Sequence, residues 1–172
     1  MEKVGENSDA VKPSTHPKAA LILHDFVPFL LNEAAETVAK RFSSFYVDRY
    51  SMTRSQWRVM ANLGRFGKLT ATEISHHGRL EKSVVSRAVF AMEKRGWLTR
   101  HAKAGDRRVE LLSLTGDGQE IYMVLVHEAK AFDDELRSFI ETAQVEGFVA
   151  VLRRLNDEAE LPAPPRTETG NS

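Results

Sequence analysis

The 172-residue sequence contains no cysteine. This excludes a disulfide framework, Cys-ligated zinc, a thiolate nucleophile and a thiol redox switch, and it suits a reducing compartment. Long apolar runs are missing too. Stretches such as Leu21–Leu23 fall far below the roughly 18 residues that span a bilayer, and no basic-then-apolar secretory segment opens the chain. A soluble, cytoplasmic protein with no membrane partner is expected. The 6 histidines (His16, His24, His76, His77, His101 and His127) include no pair four residues apart. No G-x-x-x-x-G-K loop is present, and Gly116-Asp-Gly118 lacks the third glycine of a dinucleotide loop. No catalytic pair can be located, so the chain is expected to hold no metal or cofactor and not to be an enzyme.

What is present suffices for a core, with 42% hydrophobic residues, 9 of all residues being Phe, against 28% charged. Net charge is also absent, 24 basic residues balancing 24 acidic ones, but the zero is an average of two opposites. Arg54 to Arg108 carry 13 Lys or Arg and 4 carboxylates, a net +9, which leaves −9 on the remainder. A basic middle between acidic arms fits a lobe facing phosphate, set between helices that do not. Solvated helical surfaces also cluster charge, and that is the competing reading.

Residues 1 to about 16 are polar and without periodicity; residues 1–24 are expected to form a largely disordered arm and residues 161–172 a disordered tail. A first helix is predicted from about Phe26 to Tyr46, with Asp25 as a cap, Pro28 tolerated in the first turn, and apolar residues from Leu31 to Phe45 at 3,4 spacing. The polar residues between Tyr46 and Met52 should break it. Thr53-Arg-Ser-Gln56 and Thr70-Ala-Thr-Glu73 are capping boxes, so helices start at both threonines. The first ends near Gly64 or Gly67 and the second, about two turns long, near His77-Gly78. A third helix follows from about Glu81 to Arg95, closed by Gly96. Trp97–His101 and Val109–Leu114 then read as a two-stranded hairpin with Ala102–Arg108 as a flexible basic tip. Thr115 caps a long helix running to about Phe139, and a last helix spans about Gln144 to Glu158. This order is that of a winged helix-turn-helix, mainly α with a small β-hairpin wing and added helices on both sides.

On the third helix of that lobe Val85, Ala88, Val89 and Met92 form an inward stripe, leaving Ser83, Arg87, Phe90 and Lys94 opposite and Lys82 and Ser86 on a flank. Short hydroxyls with Lys and Arg near a helix N-terminus suit a major groove, where Arg grips guanine bidentately. Thr70 and Thr72 at the start of the preceding short helix join the candidate contacts. At the hairpin tip Lys103, Arg107 and Arg108 are candidates for a minor groove or backbone, with Asp106 near enough to brace an arginine.

Thr53-Arg-Ser-Gln-Trp-Arg-Val-Met, Leu69-Thr-Ala-Thr-Glu-Ile, Glu81-Lys-Ser-Val-Val-Ser-Arg, Lys94-Arg-Gly-Trp-Leu-Thr-Arg and the run from Asp106-Arg-Arg to Gly118 together resemble the MarR family of bacterial transcription regulators. The resemblance covers about Asp25 to Asn156. It implies a homodimer bound to double-stranded DNA at a near-palindromic operator, with dimerisation helices over 25–52 and 116–160 flanking a DNA-binding lobe over 53–115. It also implies that Lys82, Ser83, Ser86 and Arg87 read DNA and that Asp106 and Arg108 form and brace the wing contact. Glu81 departs from the Asp, Ser or Thr usual at its position. The runner-up is a winged-helix protein-interaction module without DNA function.

Phe42, Phe45, Tyr46, Tyr50 and Trp57 gather near the junction of the first helix and the lobe, interleaved with Arg49 and Arg58. An apolar pocket with one or two cations suits a small aromatic acid or phenol, which the resemblance also implies, as the free acid or as its CoA thioester. Phe45, Tyr46, Arg49, Tyr50, Trp57 and Arg58 are therefore the effector candidates for a repressor released by its ligand. A plain core and dimer contact is the alternative.

Overall fold

The structure, a computed structural model, describes residues 21–103, 105–140 and 142–157. Most of the expected N-terminal arm, all of the expected tail, and Glu158 at the expected end of the last helix lie outside the described residues. The elements run α1 (Val27–Tyr50), α2 (Arg54–Phe66), α3 (Ala71–Gly78), α4 (Lys82–Lys94), β1 (Leu98–Lys103), β2 (Asp106–Leu114), α5 (Gly116–Phe139) and α6 (Thr142–Leu155), with a 3-10 turn at Leu23–Asp25 ahead of α1. By contact the chain divides into a unit up to Lys40 and a second from Arg41 onward.

In the first unit Asp25 closes the 3-10 turn rather than capping α1, so residues 21–24 are not all irregular as expected. Leu21, Ile22, Leu23, Phe26, Val27 and Leu30 are all exposed there, and His24 meets Phe29 edge-on with ring centroids 5.7 Å apart.

The second unit begins inside α1, which continues a full turn past the expected stop at Tyr46. Its end is fixed by a contact that local sequence does not reveal. Arg95 Nη2 donates to the Tyr50 carbonyl at 2.6 Å and Nη1 to the Ser51 carbonyl at 3.3 Å, satisfying carbonyls that a helix end leaves open. Ser51, at φ 45°, turns the chain away, and Met52 beyond it is buried.

Both capping boxes form. Thr53 Oγ1 accepts from the Gln56 amide and the Gln56 side chain accepts from the Thr53 amide at 2.8 Å; Thr70 and Glu73 repeat the pattern, the latter bond being 2.7 Å. Helix α2 stops at Gly67, whose φ of 82° is open to glycine at little cost. The inward stripe of α4 is as expected, with Val85, Ala88, Val89 and Met92 all buried among Val59, Met60, Leu63, Ile74, Leu98 and Leu112. Each such aliphatic side chain contributes on the order of 1.5–3 kcal/mol by leaving water.

The hairpin corrects one expectation. Ala102–Arg108 is not a loop: the strands extend to Lys103 and from Asp106, pairing antiparallel with a bulge between Ala102 and Lys103. Backbone pairing in an exposed ribbon does not require apolar side chains, so polarity overstated the tip. Leu69 adds a single bridge to Leu112, its amide donating to the Leu112 carbonyl at 3.1 Å.

Helix α5 is capped by Thr115, whose Oγ1 accepts from the Gly118 amide at 3.1 Å and donates to the Gly96 carbonyl at 2.6 Å. Gly118 is buried and lies against the backbone of Trp97, so a Cβ added there would fall on the Trp97 carbonyl oxygen. Helix α6 starts two residues before and ends three before its expected bounds. Gly118→Ala should therefore lower stability by about 1–3 kcal/mol, the usual cost of overpacking. Gly116→Ala, with open space at its Cβ, should change it by less than about 0.5 kcal/mol. Urea titration of both variants compares them directly, and equal midpoints would contradict the close approach.

Candidate nucleic-acid interface

Helix α4 begins at Glu81, which takes the extended N-cap conformation but makes no side-chain cap bond. The departure noted in the sequence thus has a structural counterpart: no carboxylate closes the first turn of α4, leaving its amide end open toward an anion. The turn before it is held by Ser75, whose Oγ donates to the Leu80 carbonyl at 2.6 Å while the Leu80 amide donates back to the Ser75 carbonyl at 3.0 Å.

Lys82, Ser83, Ser86 and Arg87 are all exposed on α4, as is Phe90 at 56% with Lys94 Nζ 5.0 Å from its ring centre. Thr72 is exposed on α3. Thr70 differs from the others because its hydroxyl is already engaged, accepting from the Glu73 amide and donating to the Glu73 carboxylate at 2.8 Å. On the wing Asp106 and Arg108 are exposed. Asp106, expected to brace an arginine, bonds Arg108 through its main chain: Oδ1 accepts from the Arg108 backbone amide at 3.0 Å. Lys103 and Arg107 lie on the same ribbon, their side chains outside the described residues.

Arg100 is a residue of this lobe that sequence reasoning did not single out as a structural tie. From β1 its Nε reaches the Glu93 carboxylate of α4 at 3.0 Å and its Nη1 reaches Glu110 of β2 at 2.8 Å. The bonds to Glu93 and then Glu110 hold its guanidinium above the ordinary arginine range. The three residues lie 7 and 10 positions apart, a spacing that carries no local signal, yet together they tie the wing to α4.

The effector candidates do not form one group. Phe42, Phe45, Tyr46, Trp57 and Phe132 pack ring against ring at 5.5–6.3 Å, with Tyr46 only 3% exposed. Tyr50 meets Trp97 edge-on instead, and exposed Arg49 lies 5.6 Å from the Tyr50 ring centre. Arg58 lines a cavity of about 550 Å³ shared by α2, the end of α3 and the end of α6, where Asn62, His77, Arg79, Arg153 and Asn156 surround it; none of the other five candidates borders it. Burial, then the charge of Arg54, draws the Arg58 guanidinium below its ordinary range, and Tyr46 acts weakly the other way.

Residues 50–109, from the end of α1 into the wing, match the protein-family model described as MarR family. The solved MarR family transcriptional regulator SPO1453 from Silicibacter pomeroyi is 26% identical, with a TM-score of 0.67 over 80% of this chain and 100% of its own. Over residues 50–109 the chain is similar to the MarR family. YwoH of Bacillus subtilis, named an uncharacterized HTH-type transcriptional regulator, is 26% identical over 123 residues, 72% of this chain and 88% of YwoH. The homoprotocatechuate degradative operon repressor of Escherichia coli is 25% identical over 100 residues, 58% of this chain and 67% of that protein. BpsR of Bordetella bronchiseptica, whose DNA binding is regulated by 6-hydroxynicotinic acid, is 21% identical and shares the fold with a TM-score of 0.73 over 81% of this chain and 99% of its own. The winged helix-turn-helix expected from sequence is thereby borne out, and the MarR family consists of transcription regulators rather than enzymes.

In the wing, Arg100→Ala removes two exposed ion pairs. It should change global stability by less than about 1 kcal/mol while hydrogen exchange quickens in β2 and not in α4. Unchanged protection across β2 would mean that strand pairing alone fixes the wing.

Proposed function

We propose that the chain is a homodimeric, sequence-specific DNA-binding repressor, with α4 entering the major groove and the β1–β2 wing reaching the backbone or minor groove. The observation that carries this reading is the exposed set Lys82, Ser83, Ser86 and Arg87 on a helix whose other face is wholly buried, within a stretch, Arg54 to Arg108, of net charge +9. Thr70, Thr72, Lys103, Asp106, Arg107 and Arg108 complete the assigned contact set. Dimerisation through the terminal helices draws support from exposed Leu21, Ile22, Val27 and Leu30 in the first unit and from Phe139, Phe148 and Val151 in the second.

Release by a small aromatic or phenolic acid, free or as a CoA thioester, completes the proposal. BpsR responds to 6-hydroxynicotinic acid, and the Escherichia coli relative represses an operon for homoprotocatechuate degradation. Trp57, packed with Tyr46 and linked through Phe42 to Phe45, would supply an apolar face and Arg58 the cation; Tyr50, which meets Trp97 instead, and Arg49 beside it are the remaining candidates. Such a ligand shifts the operator equilibrium only by binding one form of the dimer more tightly than the other.

Fluorescence anisotropy with the DNA flanking the chain's own gene is the test, and affinity should fall steeply as salt rises from about 50 to 200 mM. Salt-insensitive or absent binding would favour the protein-interaction reading instead. Arg87→Ala should cost about 1–3 kcal/mol on the specific site and flatten sequence preference. Arg108→Ala should weaken specific and non-specific DNA alike, and negligible effects of both with the fold intact would mean that the contact surface lies elsewhere.

A further inference from the structure

We propose that the cleft between α2, the α3–α4 turn and the C-terminal end of α6 is a binding site for a compact, multiply charged phosphate anion, gripped by Arg58, Arg79 and Arg153. The site is separate from the exposed face of α4 and from the ring cluster around Trp57, although Arg58 borders it.

The first argument is charge. Three guanidiniums from three elements line one cavity of about 550 Å³, and no carboxylate is among the lining residues. Among the described residues none of the three makes an ion pair. Converging like charges repel, and a partly buried guanidinium with no counter-charge loses hydration without recompense. A monocarboxylate would balance one of three positive charges. A phosphate monoester or pyrophosphate carries two or more, with oxygens matched to planar guanidinium donors.

Local hydrogen bonding leaves these donors with capacity. Arg58 Nη1 reaches the Gly78 carbonyl only at 3.5 Å, a long bond, and Asn62 fixes the Arg58 backbone, its Nδ2 donating to the Arg58 carbonyl at 2.7 Å. Arg79 donates from Nη1 to Asn156 Oδ1 at 3.0 Å and from Nη2 to the Asn156 carbonyl at 2.9 Å. The His77 ring, stacked on Phe66 with centroids 4.7 Å apart, closes one side.

Arg79 also gives the site a route to function. It occupies the turn into α4 with φ 46°, a left-handed conformation uncommon outside glycine, and its side chain is the link from that turn to the end of α6. A phosphate drawing Arg79 toward Arg58 and Arg153 would change how the start of α4 is held relative to α6. That regulatory consequence rests on the DNA-binding reading; the binding site does not.

The test titrates the full chain with inorganic pyrophosphate by calorimetry at constant ionic strength, with acetate as the singly charged control. Arg58→Gln and Arg153→Gln are compared with wild type and with Lys130→Gln on exposed α5, and each fold is checked by circular dichroism and unliganded melting. Pyrophosphate should bind wild type and Lys130→Gln alike, acetate should not compete, and each arginine variant should bind about tenfold more weakly. Arg153→Lys, which keeps the charge, should recover part of the loss. No pyrophosphate binding by wild type at millimolar concentrations, or equal binding by the folded arginine variants, overturns the site. DNA is itself a phosphate source, so DNA affinity is measured on the same variants without pyrophosphate. Unaltered DNA affinity in Arg58→Gln and Arg153→Gln supports a separate small-anion site, whereas a parallel loss would make the cleft part of the DNA surface and overturn the proposal. Absence of DNA binding by wild type would count against the repressor reading alone.

Discussion

A 13-residue helix has one face to bury, and in α4 that face is set by Val85, Ala88, Val89 and Met92. With those four packed among α2, α3 and the strands, the helical period leaves Ser83, Ser86, Arg87 and Phe90 outward. The core of the lobe thus does more than stabilise it. It fixes the rotation of α4 about its own axis, and every contact that α4 offers to a partner inherits that rotation. The surrounding features hold the same helix in position along its length: the Ser75–Leu80 bonds at its start, the Arg95 contacts at its end and the Arg100 bridge to the wing.

The charge distribution follows a parallel logic. Arginines in this lobe divide into those already occupied and those that are not, and their number alone does not distinguish them. Arg95 caps α1 while lying over Trp97 at 3.6 Å, and Arg100 is shared by two carboxylates. Both add to the positive field without being donors in waiting. Arg87 and Arg108, exposed on α4 and the wing, have side chains with no ion pair among the described residues. A residue's part in long-range attraction and its part in direct contact are therefore separate properties of one side chain.

The sequence was most legible where structure is local. The capping boxes at Thr53 and Thr70, the left-handed glycines at Gly67 and Gly96 and the stripe of α4 all depend on residues within a few positions of one another, and the structure has them as expected. It was least legible where a distant partner decides. The last turn of α1 depends on Arg95, 45 residues on from Tyr50, and no pattern near Tyr46 announces it. The candidate contacts on α4 could be named because burial of one helix face exposes the other. The cavity around Arg58 could not, since it needs Arg79 and Arg153 brought together from α3 and α6. The aromatic residues fell between these cases: composition announced a cluster, but only geometry separated the packed rings around Trp57 from Tyr50 on Trp97.

The wing's pairing imposes a rule of parity. Lys103 pairs with Asp106 across the turn at Gly105, and the irregularity between Ala102 and Lys103 takes up three residues of β2, Arg107 to Val109. Successive side chains on a strand point to opposite faces, so one residue gained or lost in β2 between Arg108 and buried Leu112 would reverse the face that Arg108 presents, while two would restore it. Length in this hairpin can drift in steps of two far more freely than in steps of one. An odd step would leave the charge and composition of the tip almost unchanged and still point its arginine the wrong way.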